Sequence, residues 1–327
     1  MRTTDPDGLL LLPHLRVRNA NAISSPLTWG FPAMTAFMGF VHALHRCMYP
    51  DFGVTLEGVG VVCHYYEALV SQPAGKHTKV FHQHRPPLDQ DGKSVAIVEE
   101  GRAHFDVSLV IGVRDCLHWD SPSLQQIAER ARELAGRKRI AGGMVLPVNP
   151  NASEHCVPML FPWPEASEER LKLSRKIGLG LLPGYALVSR EALFQQHLQK
   201  LQKKVPEADA LDALLDMSRV NIDPKSIYQT TTFEHITPWR TRRKPARFVP
   251  IPAGYAALGR LHAPGEVKGA RDSETPFCFV ECLFTLGQWF APHRSDDICQ
   301  LLWFHDADID AGLYRCSTPF FAKSLAI

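Results

Sequence analysis

Leu9-Leu-Leu-Leu-Pro-His-Leu-Arg-Val17 is the stretch whose reading decides the fold. Four consecutive leucines read as the start of a buried strand. After Pro13 the pattern alternates, with Leu15 and Val17 on one face and Arg16 and Arg18 on the other. A polar loop follows from Asn19 to Gly30. Phe31-Pro32 then opens a helix whose apolar stripe is Phe37, Phe40, Val41 and Leu44.

Working outward, Val54 to Leu69 is rich in β-formers, and Lys76 to His84 and Val95 to Val113 read as two further strands. Between those two lies Arg85-Pro-Pro-Leu-Asp-Gln-Asp-Gly92, so together they form a long hairpin with a polar, turn-rich tip. Ser121-Pro122 reads as a capped helix start, with Leu124, Ile127, Ala131 and Leu134 buried and Arg137-Lys-Arg139 at the C-terminal end. Gly142-Gly143 leads into a short strand, Met144 to Val148. The order strand, helix, strands, helix, strand predicts an α+β chain. Its ferredoxin-like (RNA-recognition-motif-like) core spans residues 1–148 and carries an extended β-hairpin or thumb.

Residues 149–327 are expected to complete that core as a helical C-terminal elaboration, either as a second unit or in one continuous domain. Here the sequence predicts a proline-rich loop to Pro164, an exposed charged helix from Glu165 to Lys176 and a strand from Leu181 to Val188. A helix capped by Ser189 carries Leu193, Phe194, His197, Leu198 and Leu201, and Ala208 to Val220 continues helical. Residues 221–247 are the expected mobile stretch. Glu274 to Phe290 reads as a final apolar helix, with Phe277, Val280, Leu283 and Phe284 on one side.

The 327 residues are 45% hydrophobic and 21% charged, ordinary for a folded protein, and the formal net charge is +2. A protein coating long duplex nucleic acid is usually more basic, so any nucleic-acid surface is local or shared with a partner. The eight cysteines include no C-x-x-C pair. They read as buried reduced thiols rather than metal ligands, Cys278 and Cys282 lying one helical turn apart in the last predicted helix. The first residues do not resemble a secretory signal and no apolar run is long enough to span a membrane, so a cytoplasmic protein is expected.

G-x-S-x-G, the P-loop, G-x-G-x-x-G and H-E-x-x-H are all missing from the sequence. Asp306, Asp308 and Asp310 alternate without the glycine and distal glutamate of a calcium loop. His77, His82, His84 and His104 fall on or near the hairpin, where a histidine could act as acid or base in metal-free RNA cleavage or simply line a groove.

Three basic clusters stand out: Lys76, Lys79 and Arg85 around Phe81; Arg137 to Arg139; and the run from Trp239 to Arg247. Single-stranded RNA is held by cations along its phosphates and by aromatic or small polar groups against its bases. The loop Asn19-Ala-Asn-Ala-Ile-Ser-Ser-Pro-Leu-Thr-Trp-Gly30 offers such groups. Its amides can read base edges, its hydroxyls and the following helix start can hold phosphate, and Trp29 can stack. The same loop also reads as a capped turn with a buried tryptophan.

At this loop the sequence resembles the Csy-two family, the Cas-five-type subunit of the subtype I-F CRISPR (Csy, or Cascade) surveillance complex. The resemblance rests on Asn19 to Pro32 with the helix Thr35 to Leu44, and on Ser71 to Phe81, Ala96 to Phe105 and Leu182 to Leu193. It continues through Pro250 to Tyr255, Ala270 to Pro276 and Gly312 to Pro319. It runs in order from about Leu9 to Pro319 and is weak over Cys116–Lys138, Asn149–Lys176 and Asn221–Arg247. It implies a ferredoxin-like core with a thumb, in a subunit that grips the 5′ handle of the guide RNA. Such a subunit pairs with the large subunit, touches the terminal backbone subunit and leaves RNA processing to a separate nuclease.

On this reading the RNA-binding residues are Asn19, Asn21, Ser24, Ser25 and Trp29 in the loop, and Lys76, Thr78, Lys79 and Phe81 at the hairpin base, with Arg102 and His104 opposite. The lysines and arginine contact phosphate, the amides read edges and the aromatics stack. No catalytic residue, metal or cofactor is expected. The alternatives are a metal-independent endoribonuclease using His82 or His104, and a scaffold that binds only protein.

Overall fold

Strand β1 (Gly8–Asn21) runs past the predicted end at Val17. Asn19 adopts a left-handed conformation, with φ of 55°. It forms a bulge that absorbs one residue and lets strand pairing resume at Ala20 and Asn21. The polar loop is correspondingly shorter, starting at Ala22. Helix α1 (Met34–Phe52) buries the stripe Phe37, Phe40, Val41 and Leu44, and ends at Gly53 in the left-handed region. The computed structural model describes residues 5–85, 87–89, 91–147, 156–224, 239–241 and 247–319.

The long strands β2 (Thr55–Ala68) and β7 (Arg102–Arg114) are joined through two-residue pieces: β3 (Val70–Ser71), β4 (Val80–Phe81), β5 (Gln83–His84) and β6 (Val98–Glu99). β3 pairs with β4, and β5 with β6, so the predicted long hairpin is strand only in fragments. Helix α2 (Ser121–Gly136) starts where Pro122 marks it, but its cap is Asp120, whose carboxylate accepts from the Ser123 N–H. The chain continues through β8 (Arg139–Ile140), β9 (Gly143–Val145), β10 (Met159–Pro162), α3 (Ser167–Gly180), β11 (Tyr185–Ser189), α4 (Glu191–Gln202) and α5 (Ala210–Ser218). Then come β12 (Ile222–Pro224), β13 (Trp239–Thr241), β14 (Phe248–Ala257), β15 (Val280–Phe290), β16 (Phe304–Asp308) and β17 (Leu313–Ser317).

Two predictions fail in the second half. Glu274–Phe290 is not a helix: its end is strand β15, hydrogen-bonded to β14 on one side and β11 on the other. Leu283, Phe284 and Val280 do sit at helical spacing. The segment is nevertheless dense in aromatic and β-favouring residues, and it is covered on both faces: Phe284 and Leu286 pack under α4 and α5, and Trp289 packs against the main core. Cys278 and Cys282 are therefore not one helical turn apart. Ser189 is the last residue of β11, not a cap; α4 begins after Arg190 with no side-chain cap. The C-terminal half is thus as much strand as helix. β12 and β13 pair with each other. The remainder of the stretch expected to be mobile, and most of the basic run after Trp239, lies outside the described residues.

The described strands build an eleven-stranded sheet in the order β16-β17-β14-β15-β11-β2-β7-β1-β9-β8, with β10 on the other end of β1's outer edge. Every pairing is antiparallel. One face of the central strands carries α1 and α2 over Leu10, Leu12, Leu15, Val17, Phe105 and Val107. The opposite face carries a second core, in which Leu9, Val62 and Val110 pack with Ile177 of α3 and with Leu301 and Leu302. The four leucines are consecutive because both faces are covered there. Helix α3 is not simply exposed: Ser174 and Ile177 are buried, and the Ser174 hydroxyl accepts from the Ile298 N–H.

That second cover stops halfway along the strands. Bulges in β1 and β2 insert one extra residue each opposite β7, between Leu12 and Leu15 and between Cys63 and Tyr65. The residues at these bulges, His14 and His64, stack on each other with ring centroids 4.2 Å apart. Past them, this face of β1, β2 and β7 carries Arg16, Arg18, Tyr65, Glu67, Asp106 and His104.

Candidate nucleic-acid interface

The loop after β1 is shaped by its own polar groups. Both ends of the Asn21 amide are taken by Ile23: Oδ1 accepts from its N–H at 3.0 Å, and Nδ2 donates to its carbonyl at 2.8 Å. The Ser25 hydroxyl accepts from the N–H groups of Leu27 and Thr28, and Ser24 and Ser25 both share hydrogen bonds with the Thr28 hydroxyl. This is how Asn and Ser side chains usually close turns. Trp29 is not the buried tryptophan of a simple turn; it is 62% exposed. Its indole meets Phe81 edge to face at 5.3 Å, so the loop and the hairpin base, far apart in sequence, form one aromatic step. Lys76, Thr78 and Lys79 are exposed beside that step in sequence.

Asn19 and its neighbours across the sheet are tied through backbone. The Asn19 N–H donates to His104 Nδ1 at 3.2 Å, and Arg102 donates to the Asn19 carbonyl and pairs with Glu100. Accepting at Nδ1 leaves the His104 proton on Nε2, free to donate outward. The structure thus brings Asn19, Arg102 and His104 into one group and Trp29 with Phe81 into another, while Asn21, Ser24 and Ser25 hold the loop between them.

A cavity of about 710 Å³ opens beneath the loop. Its walls include Asn21, Ser24, Thr35 and Gly142, together with Tyr255 and Tyr314 from the C-terminal strands. The start of α1 faces it with no side-chain cap and no acidic residue in its first turn. Such a helix start favours negative charge. Nothing in the sequence links Tyr255 and Tyr314 to the N-terminal loop, because only the sheet brings β14 and β17 to it.

The cluster from Arg137 to Arg139 is engaged in holding the fold. Arg137 pairs with Glu133, Lys138 reaches Cys47, and Arg139 donates to the Gly142 carbonyl. The histidine pair is also internally engaged. His64 Nδ1 donates to the Pro183 carbonyl, Nε2 accepts from the Ser108 hydroxyl, and His14 Nδ1 donates to Asp106. Burial holds the His64 pKa below the ordinary histidine value, with the Pro183 carbonyl pulling the other way. Burial, reinforced by Asp106, pushes the neighbouring Cys63 thiol up to about 12. Among the described residues no cluster of His, Cys, Asp and Glu could hold a metal ion, and no helix is long and apolar enough to cross a membrane.

A mixed α/β fold with a long antiparallel sheet, carrying an exposed basic and aromatic ledge, is what the geometry defines. The CRISPR-associated protein family Cas_Csy2 matches residues 10–316. The chain is also 52% identical over 335 aligned positions to the CRISPR-associated protein Csy2 of Pseudomonas aeruginosa (strain UCBPP-PA14), with 99% of each chain covered. The chain belongs to the Csy2 family of CRISPR-associated proteins, found in type I-F systems.

Proposed function

We propose that the chain is a non-catalytic, RNA-holding subunit of its CRISPR complex. It grips the 5′ handle of the guide RNA, pairs with the large subunit and meets the terminal backbone subunit. In this reading the strands β2-β7-β1-β9, with α1 and α2 on one face, form a ferredoxin-like core. The observation that carries the reading is the convergence of two distant segments: Trp29 meets Phe81, on the same loop whose Asn21 and Ser24 line a cavity bounded by the uncapped start of α1. Aromatics for bases, cations for phosphates and a favourable helix dipole are the parts a single-stranded RNA site needs.

Trp29 and Phe81 stack with bases, Lys76, Lys79 and Arg102 contact phosphate, and Asn19, Thr78 and His104 supply hydrogen bonds. Asn21, Ser24 and Ser25 set the loop's shape, since their polar groups are already engaged. Binding of a handle oligonucleotide by the full-length chain, alone and in its complex, tests this. Trp29→Ala weakens binding by about 1–3 kcal/mol. Lys79→Ala lowers the slope of log K against log salt by about 0.7. Unchanged affinity and slope in both variants overturn the RNA reading. Cleavage of repeat RNA that His82→Ala or His104→Ala abolishes overturns the non-catalytic one.

A further inference from the structure

We propose that the bare half of the β1–β2–β7 face is a second single-stranded RNA platform, on which Tyr65 and Met144 take bases while Arg16 and Arg18 take phosphates. It rests on the RNA-holding reading above and extends it to a surface beyond the loop and the hairpin.

Strand register sets the geometry. Tyr65, Asp106 and Arg16 are direct cross-strand partners and form one row across the sheet. Glu67 and His104 form the next row, and beside them, at the Asn19 bulge, Arg18 is paired with Met144. Tyr65 is 55% exposed and Met144 59% exposed, on strands whose other face is buried under α1 and α2. Glu67 raises the Tyr65 pKa, and the positive charge of Arg18, on the strand beyond β7, acts against it.

Charge accounting favours an anionic strand as the occupant. Arg114, Arg130 and Arg137 each hold a carboxylate, whereas Arg16 and Arg18 hold none among the described residues. Of the acidic groups on the face, Asp106 is engaged by His14, and Glu67 lies beside Tyr65. The apolar side chains are isolated: Met144 is paired with Arg18, and Tyr65 shares its row with Arg16 across Asp106. That pattern suits a base followed by a phosphate better than the contiguous apolar patch a protein partner buries. The platform is also continuous with the handle site, because His104 and Arg102 continue along β7 and Asn19 leads into the loop that carries Trp29. From Asp106 to Arg102 the strand advances about 13 Å. Sheet platforms of this kind accommodate roughly two or three stacked bases.

The stack of His14 on His64 closes the other end, where the α3 cover begins. The strand path therefore runs from the aromatic step at Trp29 to this histidine pair and no further.

The test uses the full-length chain and its assembled complex, with a handle oligonucleotide as probe. Tyr65→Ala weakens binding roughly fivefold or more. The double variant Arg16→Ala, Arg18→Ala lowers the salt slope by about 1.4. Both are surface changes, so an unchanged thermal melt reports intact folding, and ultraviolet crosslinking of the wild type yields RNA attached to Tyr65. If these variants bind like the wild type while Trp29→Ala does not, the platform is wrong and the handle site stands. If none of the variants matters, both readings fall. If the arginine variants keep RNA but lose a partner subunit, the face is a docking surface for acidic protein and the proposal is overturned.

Discussion

Strands β1, β2 and β7 present two different surfaces on one face of the sheet. Leu9, Val62 and Val110 are sealed under α3 and the turn before β16, whereas Arg16, Tyr65 and Asp106, a few residues along the same strands, have no such cover. All three strands change pattern at the same level. β1 passes from four leucines to leucine–arginine alternation at Pro13 and His14. β2 passes from Val-Gly-Val-Val to His-Tyr-Tyr-Glu at His64, and β7 from Leu-Val-Ile to alternation at Ser108. A strand covered on both faces must be apolar throughout, and one covered on a single face must alternate. The comparison shows that the open region was composed to face water or a polar ligand. It is not core that happens to be missing its lid.

Substitution can sharpen this contrast, and the largest effect belongs to the sealed half. Leu9→Ala costs about 2–5 kcal/mol in denaturant unfolding, while Arg16→Ala changes stability by less than about 0.5 kcal/mol. Similar costs for both would erase the distinction between the two surfaces. Next is the boundary: a Cβ at Gly184 would lie 2.8 Å from His64 Nδ1 and 2.7 Å from the Leu181 carbonyl oxygen. Gly184→Ala therefore costs about 1–3 kcal/mol, and His64→Ala in the same chain recovers part of it.

The smallest effect is in pH dependence. Burial lowers the His64 pKa below 6.5, so the unfolded chain takes up that proton at a higher pH than the folded one. The associated stability is present above the ordinary histidine value and is lost as pH falls below it. His45, also held low by burial, adds to the same slope. His64→Gln makes the fall in unfolding free energy between about pH 7 and 5 shallower; an unchanged slope removes His64 from the linkage.

The elements with strong local signals were legible. The stripe of α1, the start of α2 at Pro122 and the alternation of Leu15 and Val17 all read correctly, because each is set by a period within one segment. The bulges did not announce themselves: nothing in Asn19 says that a left-handed backbone there carries β1 on to Asn21, four residues past Val17. Strand β15 misled because its aromatics satisfy a helical spacing, while its partners β14 and β11 are supplied by distant chain. At the candidate site, Trp29 and Phe81 were picked out separately, and their contact needed the fold. Arg16 and Arg18 were visible as a polar face, but that the face is left uncovered depends on where α3 stops.

The placement of β11 has a consequence for how the chain is made. β2 finds its outer partner only at Tyr185 and Ala186 of β11, and Val59 meets Trp303 later still. On a ribosome the outer edge of β2 therefore stays open while more than a hundred further residues are added, on the order of ten seconds. During that interval a row of unpaired backbone groups beside Val59, Val61 and Val62 is available to any other extended chain. Newly made copies are thus most exposed to mispairing before their C-terminal half arrives, so yield in cells should depend on translation speed and chaperone supply more than the finished molecule's stability indicates.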